Sequence, residues 1–210
     1  KSTLLNPSSI VTNTAGGSGG HWLAVRGVSN VFVNRVLAIR CAGDGFNIAS
    51  YNYGSGAISP NNMMWTDVQA LGNAGSGFDL SGGDQDFHKL TAGYNHLSGF
   101  IVSSGGTSFT GCRAWNNESN GYYIGVHHVM MIGADAYDNS GAGFFITSGA
   151  YGIELRGVQA TRNGVDTGLT AGQRSGVFIG TSNQIVISGM FIDDAVYGPE
   201  TQQYGIYNNS

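Results

Sequence analysis

The sequence predicts an all-β solenoid, a chain wound into stacked coils of about 22 residues with one strand lying on the next. Three observations lead there. Glycine supplies 35 of 210 positions, with only 3 prolines and 10% charged residues, a composition suited to tight turns and packed strands rather than to a helical bundle or a disordered tail. A glycine before an apolar triplet recurs at Gly45, Gly77, Gly99, Gly121, Gly143, Gly176 and Gly205, and from Gly77 to Gly143 each step is 22 residues. Asparagine recurs in the same frame at Asn73, Asn95, Asn117, Asn139 and Asn163, with Cys41 at that place one coil earlier.

Residues 1–21, rich in Ser, Thr, Asn and Gly, read as an irregular segment, and 22–210 as one domain of stacked coils. Each coil alternates inward and outward side chains instead of following a helical period. In the "GF-I" segments Phe100 and Val102, Tyr122 and Ile124, and Phe144 and Ile146 share the inner face, with Ile101, Tyr123 and Phe145 between them facing out. A second segment supplies the column Trp65, Phe87, Phe109, Met131, Leu155 and, at the following corner, Val68, Leu90, Cys112, Ala134, Val158. A third brings Ala38, Ala70, Ala92, Ala114, Ala136 and Ala160 inward, three residues before the asparagine position. One such coil cannot bury its apolar face alone, so several must stack. Asparagines stacked at one turn can donate to the next rung and accept from the last, satisfying turn amides that the sheet ladders miss. Insertions fall at 51–60, at 164–174 and around residue 200, and the last two are expected to stand together as a wall.

The period, the Gly-aromatic-x-Ile signature and the asparagine ladder resemble the right-handed parallel β-helix of the pectate-lyase-like superfamily over about residues 22–208, and most of all a bacteriophage tailspike or polysaccharide depolymerase domain. The resemblance implies fold strongly and chemistry weakly, since that superfamily includes lyases, hydrolases, epimerases and tailspikes. A Tyr-Asp-Pro-His stretch, an Asp-His dipeptide and Gly/Asp nonapeptides are missing. Solenoids usually carry polar end caps, and "YGIYNNS" at the end reads as mid-coil, so a fragment of a longer chain is expected.

Charge excludes some functions. The net charge is −4 and the only lysines are Lys1 and Lys89, which does not suit a phosphate-tracking surface. No run of 18 apolar residues appears, so no membrane insertion is predicted. Cys41 and Cys112 lie three rungs apart, too far for a disulfide at about 4.8 Å per rung.

Two outward surfaces are candidates for function. The position after the aromatic reads Asn47, Asp79, Ile101, Tyr123, Phe145, Phe178, and a contiguous apolar stripe marks contact with another surface. It reads as a subunit interface of a homotrimer, like that of the tailspikes this fold resembles, as a sugar-stacking platform, or as a patch covered by the protein's own loops. The other surface carries Gln69, Thr91, Arg113, Asp135 and Gln159 in one column, with Trp115 and Tyr137 two positions on. Glu118 and Asp138 at the next turn are candidates for the two carboxyl groups of glycoside hydrolysis, although acidic residues at turns need no catalysis to explain them. Arg113 and Asp135 fit either a catalytic role or a cross-rung ion pair. Asp79, Asp84, Asp86 and His88 in and before "GGDQDFHK", and the His127–His128 pair, have the same ambiguity. No metal site or cofactor is predicted; calcium at these carboxylates is chemically possible without further support.

The expectation is a surface-exposed, extracellular or virion-borne protein that binds a bacterial polysaccharide as a homotrimer, with depolymerisation of that polysaccharide left open. The alternatives are a secreted monomeric lyase, hydrolase or epimerase, and a non-catalytic scaffold or adhesin.

Overall fold

A computed structural model describes residues 3–5, 10–12, 20–21, 23–27, 29–52, 57–166, 168–193 and 202–209. Every strand pairing between coils is parallel, and the chain climbs one rung per turn in a parallel β-helix. Parallel crossovers of this kind are right-handed in nearly all proteins.

Each coil contributes to three faces. The first contains Leu23–Arg26, Phe46–Ala49, Tyr122–Ile124, Phe144–Ile146, Ser175–Ile179 and Tyr204–Asn208, and the second contains Val31–Asn34, Asn61–Thr66, Val129–Ile132, Tyr151–Arg156 and Asn183–Ser188. Two long strands, Phe78–His88 and Phe100–Thr110, bend from the first face into the second without a break. The third face stacks Leu37–Ile39, Gln69–Leu71, Thr91–Gly93, Arg113–Trp115, Asp135–Tyr137, Gln159–Thr161 and Phe191–Asp193.

The register matches the sequence columns. Ala38, Ala70, Ala92, Ala114, Ala136 and Ala160 lie directly opposite one another and are fully buried. Phe46, Phe78, Phe100, Tyr122 and Phe144 form a buried stack with centroids 4.8–5.1 Å apart and planes within 9°. The asparagine ladder is continuous. Asn117 Nδ2 donates to Asn139 Oδ1 at 2.9 Å and to the Ala92 carbonyl at 3.2 Å, while Asn117 Oδ1 accepts from the backbone N–H and the amide of Asn95. Gln202 takes the place of an asparagine after Asn163.

One residue before each ladder position the backbone turns through the left-handed region, at Arg40, Gly72, Tyr94, Asn116, Asp138 and Arg162, with φ from 49° to 63°. Glycine and asparagine accept this geometry easily, whereas Arg and Tyr hold it only because the coil imposes it. The column therefore throws long side chains outward beside the third face.

Two short runs before residue 22 are strands. Thr3–Leu5 pairs with Val31–Val33, and Ile10–Thr12 pairs with Leu37–Ile39. The β-forming runs "TLL" and "IVT" were hidden among Ser and Asn. No helix among the described residues is long and apolar enough to cross a membrane; the helical turn at Ala171–Gln173 sits in the 164–174 insertion.

Candidate functional site

On the third face, Gly93 sets the arrangement. A Cβ there would lie 2.7 Å from the Trp115 ring, so the missing side chain makes the notch into which that indole settles. Tyr137, directly opposite Trp115 on the next rung, stacks on its other side at 6.0 Å and 11°. Tyr94 closes the block edge-on, 4.5 Å from Trp115. The rung after Tyr137 offers Thr161, too short to cover a phenol ring, so the second face of Tyr137 is left open.

That open face borders a cavity of about 480 Å3 lined by Arg113, Asp135, Tyr137, Gln159, Thr161 and Arg162. Arg113 Nε pairs with Asp135 Oδ2 across one rung at 3.3 Å. Arg162 grips Asp138 in a fork, Nε to Oδ1 at 2.8 Å and Nη2 to Oδ2 at 2.6 Å. Partial burial holds the Tyr137 hydroxyl above the usual phenol range, opposed by the positive charge of Arg113. The cavity thus joins one aromatic face to guanidinium, carboxylate, amide and hydroxyl groups.

The predicted carboxyl pair is not drawn together by mutual contacts. Glu118 faces His96, with Oε2 3.1 Å from Nδ1, while Asp138 is held by Arg162. Each has a partner of its own on a different side of the turn.

On the first face, Tyr123, Phe145 and Phe178 form the expected outward column, and the structure adds Tyr207. Their centroids are 4.5–5.7 Å apart with planes within 13°. Rings stacked this closely cover each other's faces and turn only their edges outward. Thr170, Gly172 and Gln173 of the 164–174 insertion stand beside Phe145, Phe178, Tyr207 and Asn209 around a cavity of about 490 Å3. Gly172 fits there because a Cβ would meet the Tyr207 ring at 2.7 Å. The partner wall expected near residue 200 falls largely outside the described residues.

The column's polar end joins Asn47 and the candidate Asp79 to Asp44 and His21, two residues that the sequence did not single out. The Asn47 amide donates to Asp79 Oδ2 at 3.0 Å and to Asp44 Oδ2 at 3.4 Å, with His21 Nδ1 3.3 Å from Asp44. Burial, and then the negative charge of Asp44, raise the Asp79 carboxyl above its ordinary value. Asp86 is bonded to the Ser108 hydroxyl, and His127 stacks on Tyr151 at 4.9 Å. Among the described residues no group of three or more His, Cys, Asp or Glu is placed to hold a metal ion. Cys41 and Cys112 are both buried free thiols.

The architecture has solved counterparts. Pectate lyase Pel9A superposes with a TM-score of 0.50 at 18% identity, covering 63% of this chain and 40% of its own. The enzymatically active domain of tailspike protein 2 from bacteriophage CBA120 gives 0.48 at 13%, covering 84% of this chain and 35% of its own. The A-module of mannuronan C-5 epimerase AlgE4 from Azotobacter vinelandii gives 0.37 at 13%, covering 85% and 74%. This chain therefore spans well under half of the lyase and of the tailspike domain. The likeness to Pel9A establishes the parallel β-helix fold and nothing about chemistry. No protein-family profile matches the chain, and no curated protein is significantly similar to it.

Sequence reasoning missed Tyr94, Tyr207 and the Asp44–Asn47–Asp79 contacts. Tyr94 and Tyr207 had a legible signal, because Tyr94 stands one residue before the ladder position Asn95 and Tyr207 two after the repeat glycine Gly205, as Phe178 does after Gly176. The carboxylate contacts depend on side-chain conformation and leave no such signal.

Proposed function

We propose that this protein binds an extended polysaccharide along its third face, with the open ring of Tyr137 as the platform for one sugar residue. The observation that carries this reading is the exposed aromatic face over a polar cavity. A pyranose has an apolar face of C–H groups and a rim of hydroxyls, and the site answers both: the phenol ring takes the C–H face, while Arg113, Asp135, Gln159 and Arg162 reach the hydroxyls. The rung spacing of about 4.8 Å is close to the length of one hexose, so a sugar chain lying along the helix axis meets a new rung with nearly every residue.

The polysaccharide substrate in the name of pectate lyase Pel9A agrees with this reading, and the location proposed with it is outside the cell or on a virion surface. The stripe on the first face suits assembly better than sugar stacking, because its ring edges form a flat apolar strip and its ring faces are covered. A homotrimer through Tyr123, Phe145 and Phe178 is the corresponding proposal. Binding rather than cleavage is the activity assigned, because Glu118 and Asp138 are each engaged by a separate partner.

The test is affinity electrophoresis through gels containing bacterial capsular and O-antigen polysaccharides. Wild type is retarded by at least one polymer, Tyr137→Phe behaves like wild type, and Tyr137→Ala runs free. Retardation unchanged in Tyr137→Ala would remove the third face from the account.

A further inference from the structure

Two rungs below Trp115, on the far side of the aromatic block from the Tyr137 cavity, lies a second cavity of about 300 Å3. Ile39, Arg40, Leu71, Gly72 and Tyr94 line it. Its chemistry differs from that of the first. Ile39 and Leu71 stand opposite each other on adjacent rungs and are half-buried. The Tyr94 ring forms the upper wall, projected outward by its left-handed backbone (φ 56°) and braced against Trp115. Gly72 lines the cavity at a left-handed backbone position (φ 63°) and adds no side chain to it.

The wall of this cavity is apolar, Arg40 lining it with its aliphatic stem while the residue as a whole is exposed to solvent. Arg113 and Arg162 each face a carboxylate, but no ion pair or side-chain hydrogen bond holds the exposed Arg40 guanidinium among the described residues. Its donors are therefore available to an incoming acceptor, and its aliphatic stem completes an apolar pocket. A group that suits this lining is small and apolar where it meets the wall and carries a hydrogen-bond acceptor within reach of the guanidinium; an acetyl group is a neutral group of that size and kind.

Resting on the reading above, we infer that the Ile39–Leu71–Tyr94 cavity is a specificity subsite for an acetyl group carried by the same polysaccharide. The methyl sits against Ile39 and Leu71, and the carbonyl oxygen accepts from Arg40. The sugar bearing it packs on Tyr94. Leu71 and Tyr137 are three rungs apart, about 14 Å along the axis, so one linear chain reaches both sites by crossing the Tyr94–Trp115 block. Short fragments reach only one.

The experiment is isothermal titration with matched hexasaccharides: chitohexaose against cellohexaose, and acetylated xylohexaose and mannohexaose against their saponified forms. Wild type binds the acetylated member of a pair about tenfold more tightly, the worth of one hydrogen bond to a charged group. Arg40→Ala and Leu71→Asp, both at outward positions, bring the two members to equal affinity while binding persists. Tyr137→Ala weakens both members together. Equal wild-type affinity within every pair, or a preference that survives both Arg40→Ala and Leu71→Asp, overturns the acetyl subsite and leaves polysaccharide binding standing. No binding of any hexasaccharide overturns the acetyl subsite, while polysaccharide binding itself stands or falls with the retardation by bacterial polymers.

Discussion

Replacing Asn117 by alanine removes the middle of the asparagine ladder and should be among the costliest substitutions in the chain. Asn117 Nδ2 bonds Asn139 Oδ1 and the Ala92 carbonyl, and its Oδ1 receives the backbone N–H and the amide of Asn95. All four bonds depend on the side chain. Only the bond from the Asn117 backbone N–H to Asn139 Oδ1, at 3.2 Å, survives. The Asn95 N–H is then left buried without an acceptor, in a turn where Asn73, Asn95 and Asn139 are all fully buried and water has no access. At about 1 kcal/mol for each of the four net bonds and at least about 1 more for the orphaned donor, the loss is about 5 kcal/mol. For a chain of this size that lowers the melting temperature by about 15 °C. Urea unfolding followed by circular dichroism measures it, with Ser103→Ala as an exposed control expected to stay within about 0.5 kcal/mol. A loss below about 1 kcal/mol for Asn117→Ala would show that the turn holds without the ladder, and the physical reason given for the repeat would fail.

Other outcomes follow from single contacts. Gly93→Ala pushes a Cβ into the Trp115 ring, so it should shift the tryptophan emission and weaken polysaccharide retardation while the fold persists. Tyr122 buries its hydroxyl without a partner; Tyr122→Phe should raise stability by about 1 kcal/mol in urea melts, and a loss would mean that the hydroxyl is satisfied in solution. Asp79 has its carboxyl raised by burial and by Asp44, so the folded state holds that proton more tightly than the unfolded one. Its contribution is favourable below the unfolded value and is lost as pH rises through the folded one. Asp79→Asn should therefore stabilise the protein at pH 7 and bring no gain at pH 3. For the stripe, light scattering on wild type and on Tyr123→Ser with Phe145→Ser should show a trimer falling to monomers, and a wild-type monomer would sink the interface reading.

Much of the fold was legible because a solenoid writes its geometry into the sequence at a fixed period. Gly99, Gly121 and Gly143 recur because each Cβ would press on the next rung's carbonyl and on a ladder asparagine, so the spacing that reveals the coil is the spacing the backbone requires. The frame also placed Trp115 beside Tyr137 and Arg113 beside Asp135. It could not say that Thr161 leaves one ring face open, because that depends on a comparison of side-chain size across rungs. Nor could it assign Glu118 to His96 and Asp138 to Arg162, since one turn position serves several reachable partners. The Thr3–Leu5 and Ile10–Thr12 strands escaped for a related reason: three-residue runs are too short to display a period of two.

The central claim is that a polysaccharide lies on the third face, and hydroxyl-radical footprinting with and without a retarding polymer tests it most directly. The account predicts that Tyr94, Trp115 and Tyr137 become protected from oxidation while Tyr123, Phe145, Phe178 and Tyr207 do not change. Protection of the stripe with Tyr137 left reactive would contradict it and move the sugar to the first face.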